Sequence, residues 1–185
     1  MKNVYRISWS QSLNSCSGKL RTYSKFKNTF CLENYIIQFP LHIRRNLTKL
    51  RISSHNLAIE TGRYVKNKNS LTDKRHCFHC KTIESEFHFM IECTLYSTER
   101  KKYFDELEKF TSIRLDSSNQ SFHLLMSCLN GDLEVGRLTC EFINKCFEIR
   151  REAANIAKEK EIFCRPQTTT TRSGRTSKRP LRIDV

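Results

Sequence analysis

Glycine and proline are scarce, with 5 and 3 residues in a chain of 185. So few turn-formers argue against an all-β chain of many tight turns and favour helices. Long apolar runs are missing too: none approaches the roughly 18–20 residues that spanning a bilayer requires. The start, Met1-Lys2-Asn3-Val4-Tyr5-Arg6, lacks the apolar core of a signal peptide. An intracellular chain with no membrane partner, nuclear or cytoplasmic, is the expectation. Acidic residues are almost absent from residues 1–75, which hold 15 Lys/Arg, 3 Asp/Glu and a single Asp. An acidic nuclease centre has no material there. No Tyr-x-Asp-Asp or similar paired-aspartate motif is present to hold the two magnesium ions of a polymerase.

What is abundant is positive charge, and it is segregated. The net charge is +14. Residues 1–75 contribute +12, residues 76–164 contribute −3 (12 Lys/Arg, 15 Asp/Glu), and residues 165–185 contribute +5 (6 Lys/Arg, 1 Asp). Two cationic ends around a nearly balanced middle form the electrostatic footprint of a polyanion binder. The plainer alternative is a solubility surface, or a fragment that has lost an acidic partner. Hydrophobic residues make up 38%, with 12 Phe and 6 Tyr, enough for a modest core.

The pattern reads as mainly α, with a small zinc-stapled β-hairpin or knuckle between helices and a disordered basic C-terminal tail. Residues 1–19 form a poorly ordered lead-in, and 20–75 a basic helical region. Leu20, Tyr23, Phe26 and Phe30 predict one helix, and Ile43, Leu47 and Leu50 a second after Pro40. His42, Arg45 and Lys49 share the opposite face of that second helix, with Arg44 and Arg51 flanking the apolar one. Residues 76–110 are the zinc-binding segment with a following helix over roughly 96–110. Residues 111–164 supply the C-terminal helices: a short segment from Phe122 to Leu129, a turn at Asn130-Gly131, and a long helix from Asp132 to Phe163. In that last helix Val135, Leu138, Phe142, Cys146, Ile149, Ala153 and Ala157 recur at helical spacing, so Cys146 and Cys140 read as small apolar helix residues. Residues 165–185 are the basic tail.

Nine cysteines, odd in number and unevenly spaced, suit free thiols better than a disulfide framework. Four residues stand apart: Cys77, Cys80, His88 and Cys93, in the pattern C-x2-C-x7-H-x4-C. A tight turn brings the first two sulfurs to one side, a hairpin through Phe87-His88-Phe89 returns the imidazole, and Cys93 adds a third sulfur. Three sulfurs and one nitrogen fill a tetrahedral shell, which zinc prefers and which leaves no open catalytic position. His76 and His79 are rival nitrogens, and buried reduced thiols are the alternative to a metal site. Glu84 and Glu86 are placed to orient the imidazole or simply to face solvent. Alternation along the hairpin sends Phe87 and Phe89 into protein. Phe78, between the paired cysteines, either packs or stacks on an unpaired base.

A longer set of residues carries a resemblance. It runs through Lys19-Leu20-Arg21-Thr22-Tyr23, Phe26-Lys27, Leu47-Thr48-Lys49-Leu50-Arg51, His55-Asn56-Leu57 and Glu60-Thr61-Gly62-Arg63-Tyr64. It continues with Arg75, the C-x2-C pair, Glu84-Ser85-Glu86-Phe87-His88-Phe89, Cys93, Tyr96 and Arg100. This order resembles the zinc-binding region downstream of the reverse transcriptase in non-LTR retrotransposon polyproteins. The resemblance implies a zinc-stabilised accessory domain that helps the element's enzyme engage RNA or target DNA, with Cys77, Cys80, His88 and Cys93 on the metal. Seven residues separate Cys80 from His88 where the retroviral knuckle has four, so the knuckle's base-stacking mode does not carry over. The expected protein is non-catalytic and binds RNA or DNA by charge, with a reverse transcriptase polypeptide as a further partner. Phosphate contacts are expected from Arg44, Arg45, Lys49, Arg51, Arg63, Lys66, Lys68, Lys74, Arg75 and the tail. The competing expectations are a zinc-stapled protein-interaction module and an element remnant without function.

Overall fold

A computed structural model of the protein describes residues 2–14, 22–27, 29–64, 75–111, 114–127 and 132–163. The expected tail, 165–185, and the Asn130-Gly131 turn lie outside the described residues. Among those described the fold is mainly helical: α1 (Lys2–Asn14), α2 (Tyr23–Phe26), α3 (Asn34–Gln38), α4 (Leu41–Arg51), α5 (Ala58–Thr61), α6 (Ser97–Phe110), α7 (Asn119–Met126) and α8 (Leu133–Phe163). No helix among them is long and apolar enough to cross a membrane.

The long helix α8 is the spine. Asp132 starts it, its carboxylate accepting the backbone N–H of Glu134 at 2.9 Å and of Val135 at 3.2 Å, two donors that a helix start leaves free. Both α4 and α6 pack against it. It therefore buries a wider face than one stripe: Thr139, Cys140 and Ile143 join Val135, Leu138, Phe142 and Cys146. Beyond Arg150 the stripe leaves the core, with Ala153 half-buried and Ala157 exposed. On the α6 side Tyr103 stacks on Phe142 at 4.5 Å and its hydroxyl meets that of Thr139 at 2.6 Å. On the α4 side the Asn46 amide donates to Asn144 at 2.8 Å, and the Asn144 amide donates to the Ile43 carbonyl at 3.1 Å.

Pro40 immediately precedes α4, where its missing N–H costs nothing and its fixed φ suits a helix start. Leu47 and Leu50 then reach the core fully buried. Gly136 lets the Phe39 ring lie on α8, since a Cβ there would stand 3.0 Å from the ring's Cε2.

Three expectations are corrected. The helix from Leu20 to Phe30 is a single turn, Tyr23–Phe26. Lys27 leaves helical geometry, its ammonium pairs with Glu33 at 3.4 Å, and Phe30 ends 50% exposed. The lead-in, residues 1–19, contains α1, which buries Leu13 and sets Trp9 against Phe30 at 5.5 Å. The β-hairpin is absent from the described residues, where one antiparallel bridge, His76 with Ile83, is the only β pairing. Ser85 is the cause. Its hydroxyl accepts the His88 N–H at 3.1 Å and its carbonyl that of Phe89 at 2.9 Å, so the chain turns helical where a strand was expected to return.

Candidate metal centre

The centre is built from two local turns. In the first, the Lys81 N–H donates to the Cys77 carbonyl at 2.9 Å and the Cys77 N–H to the Thr82 carbonyl at 2.7 Å. The turn closes with Lys81 at φ 61° and presents both Cys77 and Cys80. The second is a π-helical turn, His88–Glu92, closed by the Cys93 N–H on the His88 carbonyl at 2.8 Å. In an ordinary α-helix residues five apart point well away from each other. Closing the ring over five residues brings Cys93 back over His88.

Cys77, Cys80, His88 and Cys93 meet here, each offering one ligand atom, and all four atoms lie within 4.8 Å of one another. The Cys93 sulfur is 3.9 Å from that of Cys77 and 3.6 Å from that of Cys80. A tetrahedral zinc with bonds of about 2.3 Å to sulfur sets an edge of about 3.8 Å between sulfurs, so the spacing fits. His88 Nδ1 lies 3.4 Å from a Glu92 carboxylate oxygen and 3.3 Å from the Thr82 hydroxyl. Its Nε2 is buried and has no hydrogen-bond partner. Such a nitrogen is costly unless it binds something, and an imidazole held by a carboxylate through its other nitrogen is the usual metal-ligand arrangement. The rival nitrogens are settled by position: His79 is exposed, His76 sits in the bridge with Ile83, and neither belongs to the cluster.

Electrostatics within the cluster favour a cation. The hydrogen bond with Cys93 pushes the Cys77 thiol down to about 3, with His88 helping against the effect of burial. The same bond, together with burial, raises Cys93. The neighbouring Cys77 sulfur raises His88, against the effect of burial. The sulfurs thus share protons among themselves, and a divalent cation binding here would displace them.

Around the site the sequence expectations divide. Glu84 and Glu86 are both buried, yet neither orients His88. Glu84 accepts the Ala58 N–H and makes two bonds from the Arg150 guanidinium, at 2.7 and 2.8 Å. Glu86 accepts the Ser53 hydroxyl and pairs with the His55 ring, each at 2.9 Å. Glu92 and Thr82 take the orienting role, and only the i, i+4 spacing of His88 and Glu92 hints at it. Arg100 is another residue that the spacing does not reveal. It is buried and donates to the Met90 carbonyl at 2.7 Å and the Cys93 carbonyl at 2.8 Å, tying α6 to the ligand-bearing turn. Phe87 and Phe89 do pack into protein, against Phe122 at 5.4 Å and Tyr96 at 5.0 Å, but from a helical turn rather than by strand alternation. Phe78 is half-buried.

The described residues among the expected phosphate contacts differ in their surroundings. Arg45 is exposed and Lys49 half-buried on α4. Arg44 donates through Nε to the Phe39 carbonyl at 3.0 Å, and Arg63 faces Glu60 at 3.5 Å. Arg75 is half-buried with its Nε enclosed. Lys66, Lys68 and Lys74 lie outside the described residues. Arg51 is a correction. Only 2% exposed, it pairs with Glu33 and lies over the Tyr35 ring at 5.2 Å, so it holds α3 and α4 together and is closed to phosphate. Arg51→Gln is expected to cost about 2 kcal/mol in urea unfolding and to leave oligonucleotide affinity within about twofold. A large affinity loss in a fully folded variant would return Arg51 to the binding surface.

The chain matches no protein-family model, and no curated protein or solved structure matches it.

Proposed function

We propose that this chain is a zinc-stapled, non-catalytic accessory domain that binds RNA or DNA by charge and derives from a non-LTR retrotransposon polyprotein. The observation that carries the zinc is the buried, unpartnered Nε2 of His88 beside three sulfurs at tetrahedral spacing. Cys77, Cys80, His88 and Cys93 close the shell, so the metal would serve as a staple and leave no position for substrate. Nucleic acid is supported by the +14 charge and its concentration in residues 1–75 and 165–185. The order of motifs from Lys19 to Arg100 supports the retrotransposon origin, and with it a reverse transcriptase polypeptide as a second partner.

Binding by phosphate neutralisation releases counterions. For a labelled duplex the slope of log affinity against log salt is expected at about −0.9 per phosphate contacted, so that six contacts cost about a thousandfold between 50 and 200 mM salt. Titrations at four salt concentrations measure it, and a flat response would remove charge as the mechanism. A second reading, a protein-interaction module, is favoured by α8 beyond Arg150, where Ile156 is 52% exposed. Salt-independent oligomers lost on Ile156→Lys would select that reading.

A further inference from the structure

Between α4 and α8 the structure holds a cleft of about 770 Å³, and the metal centre does not line it. His42, Asn46 and Lys49 enter from α4, which are positions i, i+4 and i+7 of one helical face. Asn144, Phe147, Arg151 and Asn155 enter from α8 at the same kind of spacing, and Ser54 and Asn56 come from the segment after α4. Of the cationic face expected on α4, His42 and Lys49 thus form one wall of the cleft.

We propose that this cleft is a single-strand nucleic-acid subsite, in which Lys49 and Arg151 neutralise the phosphodiester backbone and the amides of Asn56 and Asn155 meet base edges. The inference rests on the nucleic-acid reading above and gives that reading a place. Four observations lead to it. Among the described residues Lys49 and Arg151 make no ion pair, while Arg150, also in the lining, is occupied by Glu84. Asn46 and Asn144 are committed to tying the helices together, whereas Asn56 and Asn155 remain available to a ligand. Side-chain amides match the paired donor and acceptor of a base edge. Apolar material is sparse, with Phe147 and Ala154 the main examples, so an apolar peptide gains little. Glu148 in the same lining is paired with Lys145 at 3.3 Å. Finally, the surface is concave. A duplex is read by elements that project into its grooves, but an unpaired strand can lay its splayed bases into a hollow.

The test uses the full zinc-loaded chain and a labelled 12-nucleotide single-stranded RNA of mixed sequence, compared with its duplex and with polyglutamate. The variant Lys49→Gln/Arg151→Gln is expected to weaken single-strand binding about tenfold near 100 mM salt and to flatten the salt slope by about 1.4. Lys101→Gln/Arg114→Gln removes the same charge at exposed positions elsewhere and is expected to stay within about twofold. Asn155→Ala, a helix-compatible change at an exposed position, is expected to lose about fivefold on the single strand and nothing on the duplex. Zinc content and circular dichroism confirm that each variant is folded. Equal losses in both charge variants, or duplex binding as tight as single-strand binding and equally insensitive to Asn155→Ala, would overturn the cleft while nucleic-acid binding stands. Tighter binding of polyglutamate than of RNA would overturn it in favour of an acidic protein partner. Wild-type protein that binds no oligonucleotide at all would remove both this inference and the reading beneath it.

Discussion

His88→Ala is expected to purify without zinc and without a cooperative fold. A structural zinc site supplies about 10–16 kcal/mol of apparent binding energy, as much as or more than the roughly 5–15 kcal/mol net stability of an ordinary domain. Here the two ligand turns also carry the core. Phe89, Met90 and Ile91 follow His88 directly and are fully buried, and Arg100 hangs α6 on the carbonyls of Met90 and Cys93. Without the metal, three thiols and the Glu92-bound imidazole are left to repel or protonate. Elemental analysis of protein purified without added metal should give about one zinc per wild-type chain. His88→Cys, which closes the shell with four sulfurs, should retain most of it. Because every ligand binds zinc in its deprotonated form, protons compete, and zinc and fold are expected to be lost together as the pH falls below about 5. A zinc-free wild-type protein that unfolds cooperatively would sink the staple, and so would a folded His88→Ala.

Glu84→Gln is expected to be the most damaging substitution away from the ligands, at about 3–5 kcal/mol in urea unfolding of the zinc-loaded protein. The Glu84 carboxylate is 2% exposed and faces Arg150, itself only 16% exposed, through two hydrogen bonds. It also accepts the Ala58 N–H at the start of α5. Neutralising it strands a guanidinium in a partly buried site and weakens a link between the segment joining the two metal turns and α8. The pair need not be net stabilising against an apolar replacement. Glu84→Leu combined with Arg150→Met is therefore expected to recover most of the loss. A Glu84→Gln effect below about 1 kcal/mol would show that solvent already screens the pair.

How far the sequence could be read follows from the range of the interactions. The metal cluster was legible because its four ligands fall within a short stretch and two local turns suffice to gather them. The helices α4, α6 and α8 were legible because their apolar spacing runs over several turns, and α8 is long enough for the pattern to be unambiguous. By contrast α1 buries little beyond Leu13 and left almost no periodic trace. The returning strand is not legible because Ser85, a good helix-starting residue, outweighs the strand-like alternation of Phe87, His88 and Phe89.

The sequence by itself determined the mainly helical class, the segregated positive charge, and the short stretch from Cys77 to Cys93 that supplies the cluster. Each depends on composition or on neighbours a few residues apart. Tertiary structure alone decided what the charges do. Arg51 and Lys49 are two residues apart on one helix, yet Glu33 and Tyr35 enclose the first and α8 leaves the second on the wall of a cleft. Likewise Glu84 goes to Arg150, 66 residues away, and Glu86 to Ser53 and His55, leaving Glu92 to orient the imidazole. A charge reads the same in sequence whether it faces water, a partner or a ligand. Its desolvation depends on which distant element packs over it, and only the assembled fold sets that.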